Sequence, residues 1–329
     1  MMPPLLERCA GLVFGFGFRG GKAEPVMEPT LEAALASGHD WVWLHLALSD
    51  HRARRFLETF KGFSRGAREV MLGTEERIQI HLTAGGGWGI LPDIERDFAD
   101  EALGSGRLSF WMEERCLITA RRHPLRAAER LRDDIEAGAE LPVPSAALAS
   151  LLEHFVTMVE ARLAVLAADL GHIEDQVLAD HGLGQDSLGP LRRELSRYTR
   201  EFSSLRSAIH RATSTRRGDT GSPLQDHLLQ LLQDAEDFDR DAGALTDRAR
   251  LLYEEIETRI ASTTNRSLSA LTVISTLLLP PTFIVGAFGM NLEGIPWARD
   301  GEGFGFVLGL CLVLVLAGYI VLRRFRILP

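Results

Sequence analysis

The residues best suited to bind a cation lie where a long uncharged run ends, at Gly289-Met290-Asn291. Side-chain amide oxygens accept hydrogen bonds from the first-shell waters of a divalent cation, and Mg²⁺ in particular gives up that water reluctantly. A ring of such side chains at Asn291 would therefore hold a cation without stripping its water. Three acids in the loop that follows, Glu293, Asp300 and Glu302, would raise the local cation concentration.

Upstream of Gly289, steps of three and four residues place seven positions on one helical face. They are Gly286, Thr282, Leu279, Ser275, Thr272, Leu268 and Asn265. Several such faces around an axis would enclose a wet path with hydrophobic collars at Leu279 and at Leu268 or Leu271. Alternatively, the hydroxyls bond back to their own helix and the small residues let helices pack. Periodicity leaves both explanations open, and Pro280-Pro281 predicts a kink in either case.

Two uncharged runs must position this face. Residues 268–289 and 304–322 are 22 and 19 residues long, and each is long enough to cross a hydrocarbon core of roughly 30 Å as a helix. We predict a pore-lining transmembrane helix at 267–290, an external loop at 291–303, a second transmembrane helix at 304–322 and a basic cytoplasmic tail at 323–329. Basic residues flank the spans mainly on one side, which predicts a multi-pass protein of a bacterial-type inner membrane with both termini in the cytoplasm.

The rest of the chain predicts an α+β membrane protein with an N-terminal cytoplasmic α/β domain (1–143) and long cytoplasmic helices and a stalk (144–266). Short apolar or alternating runs predict strands at 12–14, 41–46, 77–82, 88–91, 108–112 and 115–119. Helices are predicted at 31–36, 50–60 and 124–136. From 144 the period becomes helical, with a second helix at 189–213 and one of more than fifty residues from 224. A helix of that length needs partner helices, which predicts oligomerisation through it.

Charge and motifs exclude several classes of function. Residues 1–264 carry 31 basic and 42 acidic side chains, which argues against a nucleic-acid partner and suits either a protein that concentrates cations or a soluble domain. No nucleophile elbow, His-Glu metal motif or P-loop is present, so we predict neither an enzyme nor a cofactor. The glycine-rich run 15–20 matches a dinucleotide fingerprint by letter, but we interpret it as a strand end. Cys9, His39, His45 and His51 lack ligand spacing, so no metal site is predicted there.

The sequence from residue 265 to residue 291 resembles the CorA superfamily of divalent-cation transporters. The resemblance rests on Asn265-Arg266, Leu271-Thr272, Pro280, Thr282-Phe283, Gly286 and Gly289-Met290-Asn291. It implies a funnel-shaped homopentamer in membrane lipid whose first span lines the pore and whose Gly289, Met290 and Asn291 form the selectivity filter. The pore positions it implies are Asn265, Leu268, Leu271, Thr272, Ser275, Leu279, Thr282 and Gly286.

The cargo depends on the branch of that superfamily. Gly294-Ile295-Pro296 is similar to the zinc-transporting ZntB branch, which implies Zn²⁺ as the cargo and coupling to protons. The spans contain no carboxylate or histidine to carry a proton, so plain conduction stays open. The alternative is a magnesium channel, whose cytoplasmic gating acid would be Glu254, although the acidic run around Glu254 favours a solvated helix face. A membrane-tethered sensor or scaffold without transport is the alternative from another class.

Overall fold

The chain forms two compact units, Met1–Arg250 and Leu251–Pro329. The computed structural model describes residues 11–26, 38–83, 85–95, 104–179, 185–214, 223–290 and 303–324. The helix predicted at 31–36 lies outside these ranges. The domain boundaries predicted from the sequence stay predictions.

A seven-stranded sheet forms the N-terminal part of the first unit. Its strands are β1 (Leu12–Arg19), β2 (Lys22–Pro25), β3 (Trp41–Ala47), β4 (Gln79–Leu82), β5 (Gly87–Ile94), β6 (Ser105–Glu113) and β7 (Cys116–Arg121). They lie in the order β2-β1-β3-β7-β6-β5-β4. The β3–β7 pair is parallel, and every other pair is antiparallel. All six predicted strands are present.

The glycine-rich run forms a hairpin, which confirms its interpretation as the end of a strand. Gly20 and Gly21 both have positive φ, 56° and 83°, and connect β1 to β2 at the Arg19–Lys22 pair. Such a two-residue turn favours glycine because both central residues adopt left-handed backbone conformations. Before the turn, the Phe18 ring stacks on Trp41 at 3.8 Å, which anchors β1 on β3.

In the described part of the chain, three short helices cover the sheet: α1 (His51–Thr59), α2 (Arg65–Leu72) and α3 (Arg126–Glu136). The sequence prediction missed β2 and α2. Ser64 was a sequence signal for the start of α2, since serine is a preferred N-cap residue. In the structure its side chain accepts a hydrogen bond from the Ala67 amide at 3.2 Å. Residues 67, 70 and 71 of that helix are buried, at the spacing of an amphipathic helix.

Long helices follow: α4 (Pro144–Leu178), α5 (Gln185–Ser214) and α6 (Pro223–Phe288). Phe202 on α5 stacks between Phe155 on α4 at 5.6 Å and Phe238 on α6 at 3.6 Å. Ion pairs join the same helices: Arg162–Glu194, Arg206–Asp239 and Arg248–Glu174. The apolar positions predicted for α4, from Leu148 to Val177, are all buried.

The second unit contains residues 251–288 of α6 and a last described helix, α7 (Gly303–Arg324). The helix α6 is 66 residues long, which confirms the prediction of one very long helix, and it continues as helix through Pro280 and Pro281. Both α6 and α7 are long and apolar enough to cross a membrane. At 22 residues, α7 extends about 33 Å.

Candidate functional site

The predicted polar stripe of α6 is uncovered along its whole length. All seven positions are exposed: Asn265, Leu268, Thr272, Ser275, Leu279, Thr282 and Gly286. Leu271, the alternative collar, is exposed as well. No part of the second unit that the structure describes packs over this face.

The neighbouring helix α7 lies against a different face of α6. Within residues 261–288 of α6, the half-buried positions are Val273, Leu277, Pro281, Ile284, Ala287 and Phe288. Cys311 Sγ of α7 lies 4.0 Å from the Pro281 carbonyl oxygen. A Cβ added at Gly318 of α7 would lie 3.2 Å from Leu277 Cδ2. At 100° per residue, the face against α7 and the polar stripe point about 160° apart. The hairpin therefore leaves the stripe free to face something other than its own second span.

Two hydroxyls of the stripe bond back to their own helix. Thr272 Oγ1 donates to the Leu268 carbonyl at 2.9 Å, and Thr282 Oγ1 donates to the Leu278 carbonyl at 2.7 Å. Such bonds are what the alternative to a wet path predicted, in which the hydroxyls bond back to their own helix and the helices pack together. It also fixes how the hydroxyl is used: the single hydrogen is engaged, and the oxygen lone pairs remain as acceptors. Each threonine can therefore accept a hydrogen bond from the water shell of a cation.

The stripe ends at a helix C-terminus. Gly289 N donates to the Val285 carbonyl at 2.9 Å, and the helix stops at Phe288. Carbonyls at a helix C-terminus lack amide partners and carry a partial negative charge of about half an electron, which attracts cations. An added Cβ at Gly286 would meet no atom of the described residues within 4 Å, so their packing does not require a glycine there. Met290 is 51% exposed. Asn291 and the loop acids Glu293, Asp300 and Glu302 lie outside the described residues.

Glu254 occupies an exposed position on the stalk part of α6. Its backbone carbonyl accepts a hydrogen bond from Thr258 Oγ1 at 2.8 Å. Nearby, Arg259 pairs with Glu255 one turn away at 2.7 Å. These contacts are typical of a solvated helix face, so a gating role for Glu254 stays a prediction.

His45, one of the histidines considered as metal ligands, lies in β3 of the N-terminal sheet. His45 is fully buried, stacks on Phe14 at 4.7 Å and contacts Thr119 Oγ1 through Nδ1 at 2.8 Å. Burial lowers the pKa of His45 to about 3, so the ring stays neutral. Among the described residues, no three His, Cys, Asp or Glu side chains are grouped as a metal would need. Cys9 lies outside them.

One charged surface was missed by the sequence analysis. Six arginines lie along α5, against three acids, in a unit that is otherwise acidic. The signal was present in the sequence as a reversal of charge within a single helix.

Comparisons with known proteins agree with this geometry. A family model described as "CorA-like Mg2+ transporter protein" matches residues 38–324. The divalent cation transporter CmaX of Pseudomonas aeruginosa is 26% identical over 306 residues, covering 89% of this chain and 90% of CmaX. The zinc transport protein ZntB of Yersinia pestis is 23% identical over 290 residues, covering 86% of this chain and 87% of ZntB.

Solved structures share the fold. The full-length CmaX structure superposes with a TM-score of 0.80 at 24% identity, covering 96% of this chain and 98% of that one. The complete structure of the CorA magnesium transporter from Methanocaldococcus jannaschii gives a TM-score of 0.70 at 16% identity, covering 95% and 98%. These likenesses extend over the α/β part, the long helices and the two apolar helices.

Proposed function

Because the chain belongs to the CorA-like Mg2+ transporter family, whose members move divalent cations across membranes, we propose that it is a zinc uptake system that works as a homopentamer. The polar stripes of five α6 helices would face a common axis, and Asn291 would form the outer ring. Glu293, Asp300 and Glu302 would concentrate cations outside that ring. The membrane would be a bacterial inner membrane with both termini in the cytoplasm, as the distribution of basic residues predicts.

The single observation that carries this proposal is the placement of α7 about 160° away from the polar stripe. In lipid, hydroxyl and amide groups are placed where they find partners or water. A stripe left bare by its own hairpin therefore needs either neighbouring copies or an aqueous path. A ring of copies supplies both.

The proposed path uses weak, repeated contacts. A hydrated cation would lose little or no water at Asn291 and then pass the hydroxyls of Thr282, Ser275 and Thr272. Leu279 and Leu268 or Leu271 would form apolar collars that close by dewetting. For a doubly charged ion, a membrane potential of 100 mV supplies about 5 kcal/mol of driving force, so conduction needs no proton. Coupling to protons remains part of the hypothesis only because the resemblance to the zinc branch implies it.

Zinc is preferred as cargo because of the Gly294-Ile295-Pro296 loop and the ZntB relatives. One observation favours magnesium as the second candidate. The described part of the stripe offers only neutral oxygens, without histidine or cysteine, and hard cations such as Mg²⁺ prefer oxygen ligands. Zinc would have to cross hydrated or with oxygen ligands.

The test is uptake into proteoliposomes that contain zinc and magnesium reporters in separate preparations. Wild type and Asn291→Ala would be compared, with and without an inward proton gradient. The matched control is Gln230→Ala, which removes an exposed side-chain amide of α6 outside the stripe and should leave uptake unchanged. We expect zinc entry that falls at least about tenfold in Asn291→Ala, since an amide ring holding a cation contributes on the order of 1–2 kcal/mol.

Each outcome has one meaning. Zinc entry that is independent of protons keeps the pathway and discards the coupling. Magnesium entry alone moves the protein to the second candidate. Absence of flux for both ions in wild type would refute transport and favour a membrane tether for the cytoplasmic domain.

A further inference from the structure

Among the long helices of the first unit, α5 carries a net positive charge, whereas α4 and the part of α6 up to Arg250 carry a net negative charge. The helix α5 has six arginines and three acids, whereas α4 has five acids and one arginine. Up to Arg250, α6 has seven acids and three arginines. The charges therefore separate by helix, which creates surfaces that complement each other.

The arginine face consists of Arg193, Arg197 and Arg200 of α5. At 100° per residue, Arg193 and Arg200 point about 160–180° away from the buried stripe of that helix, which is Leu191, Leu195, Tyr198, Phe202, Leu205 and Ile209. Both are exposed, and among the described residues neither has an acidic partner. Together the three arginines line an open groove along α5.

Among the described residues, the one carboxylate that pairs with this face, Glu194, is already neutralised. Arg197 Nη2 lies 4.0 Å from Glu194 Oε1, longer than a hydrogen bond. Glu194 instead accepts two hydrogen bonds from Arg162 of α4, at 2.7 and 2.8 Å, and a third from Tyr198 Oη at 3.2 Å. The arginine face therefore keeps a positive charge that the described acids leave unbalanced.

The acidic seam consists of Glu160 on α4 and Asp234 and Asp241 on α6. All three are exposed, and no cation of the described residues pairs with them. Partial burial and then the charges of Asp234 and Asp241 raise the pKa of Glu160, so the three carboxylates repel one another. Farther along the same seam, Arg248 donates to Glu174, which fixes α4 beside α6.

The two surfaces cannot meet within one chain. The seam runs between α4 and α6, and α5 packs on those helices through Phe202, with its arginine face pointing away from them. A patch and its complement on different faces of one protomer produce a heterologous contact between copies. Repeated around an axis, such a contact closes a ring.

We propose that the arginine face of one copy docks on the acidic seam of a second copy of this chain, so that the cytoplasmic helices join head to tail around a ring. The inference rests on the homo-oligomer of the proposed function and names the surface that assembles it. Arginine suits such a contact because its planar fork can donate two parallel hydrogen bonds to one carboxylate. Complementary charge also sets the register between neighbours.

Disulfide trapping in the full-length protein tests the contact directly. Two differently tagged chains, Arg200→Cys and Asp241→Cys, are co-expressed in membranes and oxidised. We expect a covalent heterodimer from the mixture. A single chain that carries both Arg200→Cys and Asp241→Cys should give a ladder of covalent oligomers. The matched control pairs Asp241→Cys with Arg55→Cys on the exposed side of α1, which should give neither. Wild type is oxidised in parallel to reveal any cross-link through the three native cysteines, Cys9, Cys116 and Cys311.

Charge reversal gives an independent measurement. Arg193→Glu/Arg200→Glu and Asp234→Arg/Asp241→Arg should each raise the concentration at which the detergent-solubilised oligomer dissociates, by about tenfold for each charge pair reversed. Combining the four substitutions should restore assembly. Arg55→Glu/Arg130→Glu changes the net charge equally at exposed positions elsewhere and should leave assembly unchanged.

The results separate this inference from the proposed function. If wild type is oligomeric and carries zinc, but the mixed cysteine chains give no heterodimer and the four-fold swap restores nothing, the docking proposal is overturned. If the heterodimer and the rescue are observed while no cation enters proteoliposomes, the docking stands and the transport proposal fails.

Discussion

Asp93 predicts an unusual dependence of stability on pH. This residue of β5 is 1% exposed, and its Oδ1 accepts hydrogen bonds from the amides of Ile94 at 2.6 Å and Ala127 at 2.9 Å. It thereby caps α3, whose own N-cap residue, Leu125, has no side-chain acceptor. Its other oxygen, Oδ2, is buried without a hydrogen-bond partner among the described residues.

Burial raises the pKa of Asp93 from 3.8 to about 7, despite the amide hydrogen bonds that act in the other direction. Glu129 of α3 raises that pKa further, while Arg121 of β7 is the nearby cation. The folded state therefore holds a proton between about pH 4 and pH 7 that the unfolded chain has released. Since the unfolded state binds fewer protons in this window, the free energy of unfolding falls as the pH rises through it and is level above it. A shift of this size corresponds to about 4 kcal/mol.

The perturbation is Asp93→Asn, which keeps an oxygen acceptor for the two amides and cannot ionise. Thermal unfolding of the detergent-solubilised protein would be followed from pH 4 to pH 8. Relative to wild type, the variant should gain stability steadily over this window, by about 10 °C in Tm for a protein of this size. The reference point is the difference at pH 4, because the substitution also changes packing by a constant amount.

Asp50→Asn is the matched control. Asp50 caps α1, and its hydrogen bonds with Arg52 lower its pKa. Its contribution is therefore present above pH 4 and lost only as the pH falls below that, so this control should show a constant difference from pH 4 to pH 8. A constant difference for Asp93→Asn as well would refute the reasoning that a buried, half-satisfied carboxylate holds a proton at neutral pH.

Three further outcomes follow from individual side chains. Arg107→Met should destabilise the first unit by about 2 kcal/mol in a denaturant titration, because it leaves the nearly buried Glu201 without its 2.9 Å partner; an unchanged midpoint contradicts this. Thr282→Val should keep the fold but lower cation uptake about fivefold, the equivalent of one lost acceptor, whereas Thr282→Ser should retain uptake. Gly286→Leu should leave the melting temperature unchanged, since an added Cβ would meet no described atom within 4 Å, and should abolish uptake; normal uptake would remove Gly286 from the pathway.

Period and length were enough to predict the long elements. The apolar positions of α4 recur every three or four residues and all are buried, because a helix of that length must cover its apolar side. The absence of proline between Leu224 and Pro280 similarly predicted most of α6. The eight-residue α2 and the four-residue β2 were not predicted, because elements this short have too few positions to show a clear hydrophobic period.

The chemical identity of the candidate pathway was also readable from the sequence. Gly289-Met290-Asn291 at the end of an uncharged run, with hydroxyls at helical spacing upstream, requires only that the run be a helix. Periodicity alone could not decide what the stripe faces, because a helix places polar side chains on one side whether water or another helix lies there.

Tertiary structure decided the matters that depend on contacts between distant residues. It placed α7 against the opposite side of α6, engaged the hydrogens of Thr272 and Thr282, and separated the arginine face from the acidic seam. The sequence determined the long helices and the candidate residues for meeting a cation, since these follow from local patterns. Which faces remain exposed, and at what pKa a carboxylate such as Asp93 titrates, depends on packing, because burial and charge act across space and not along the chain.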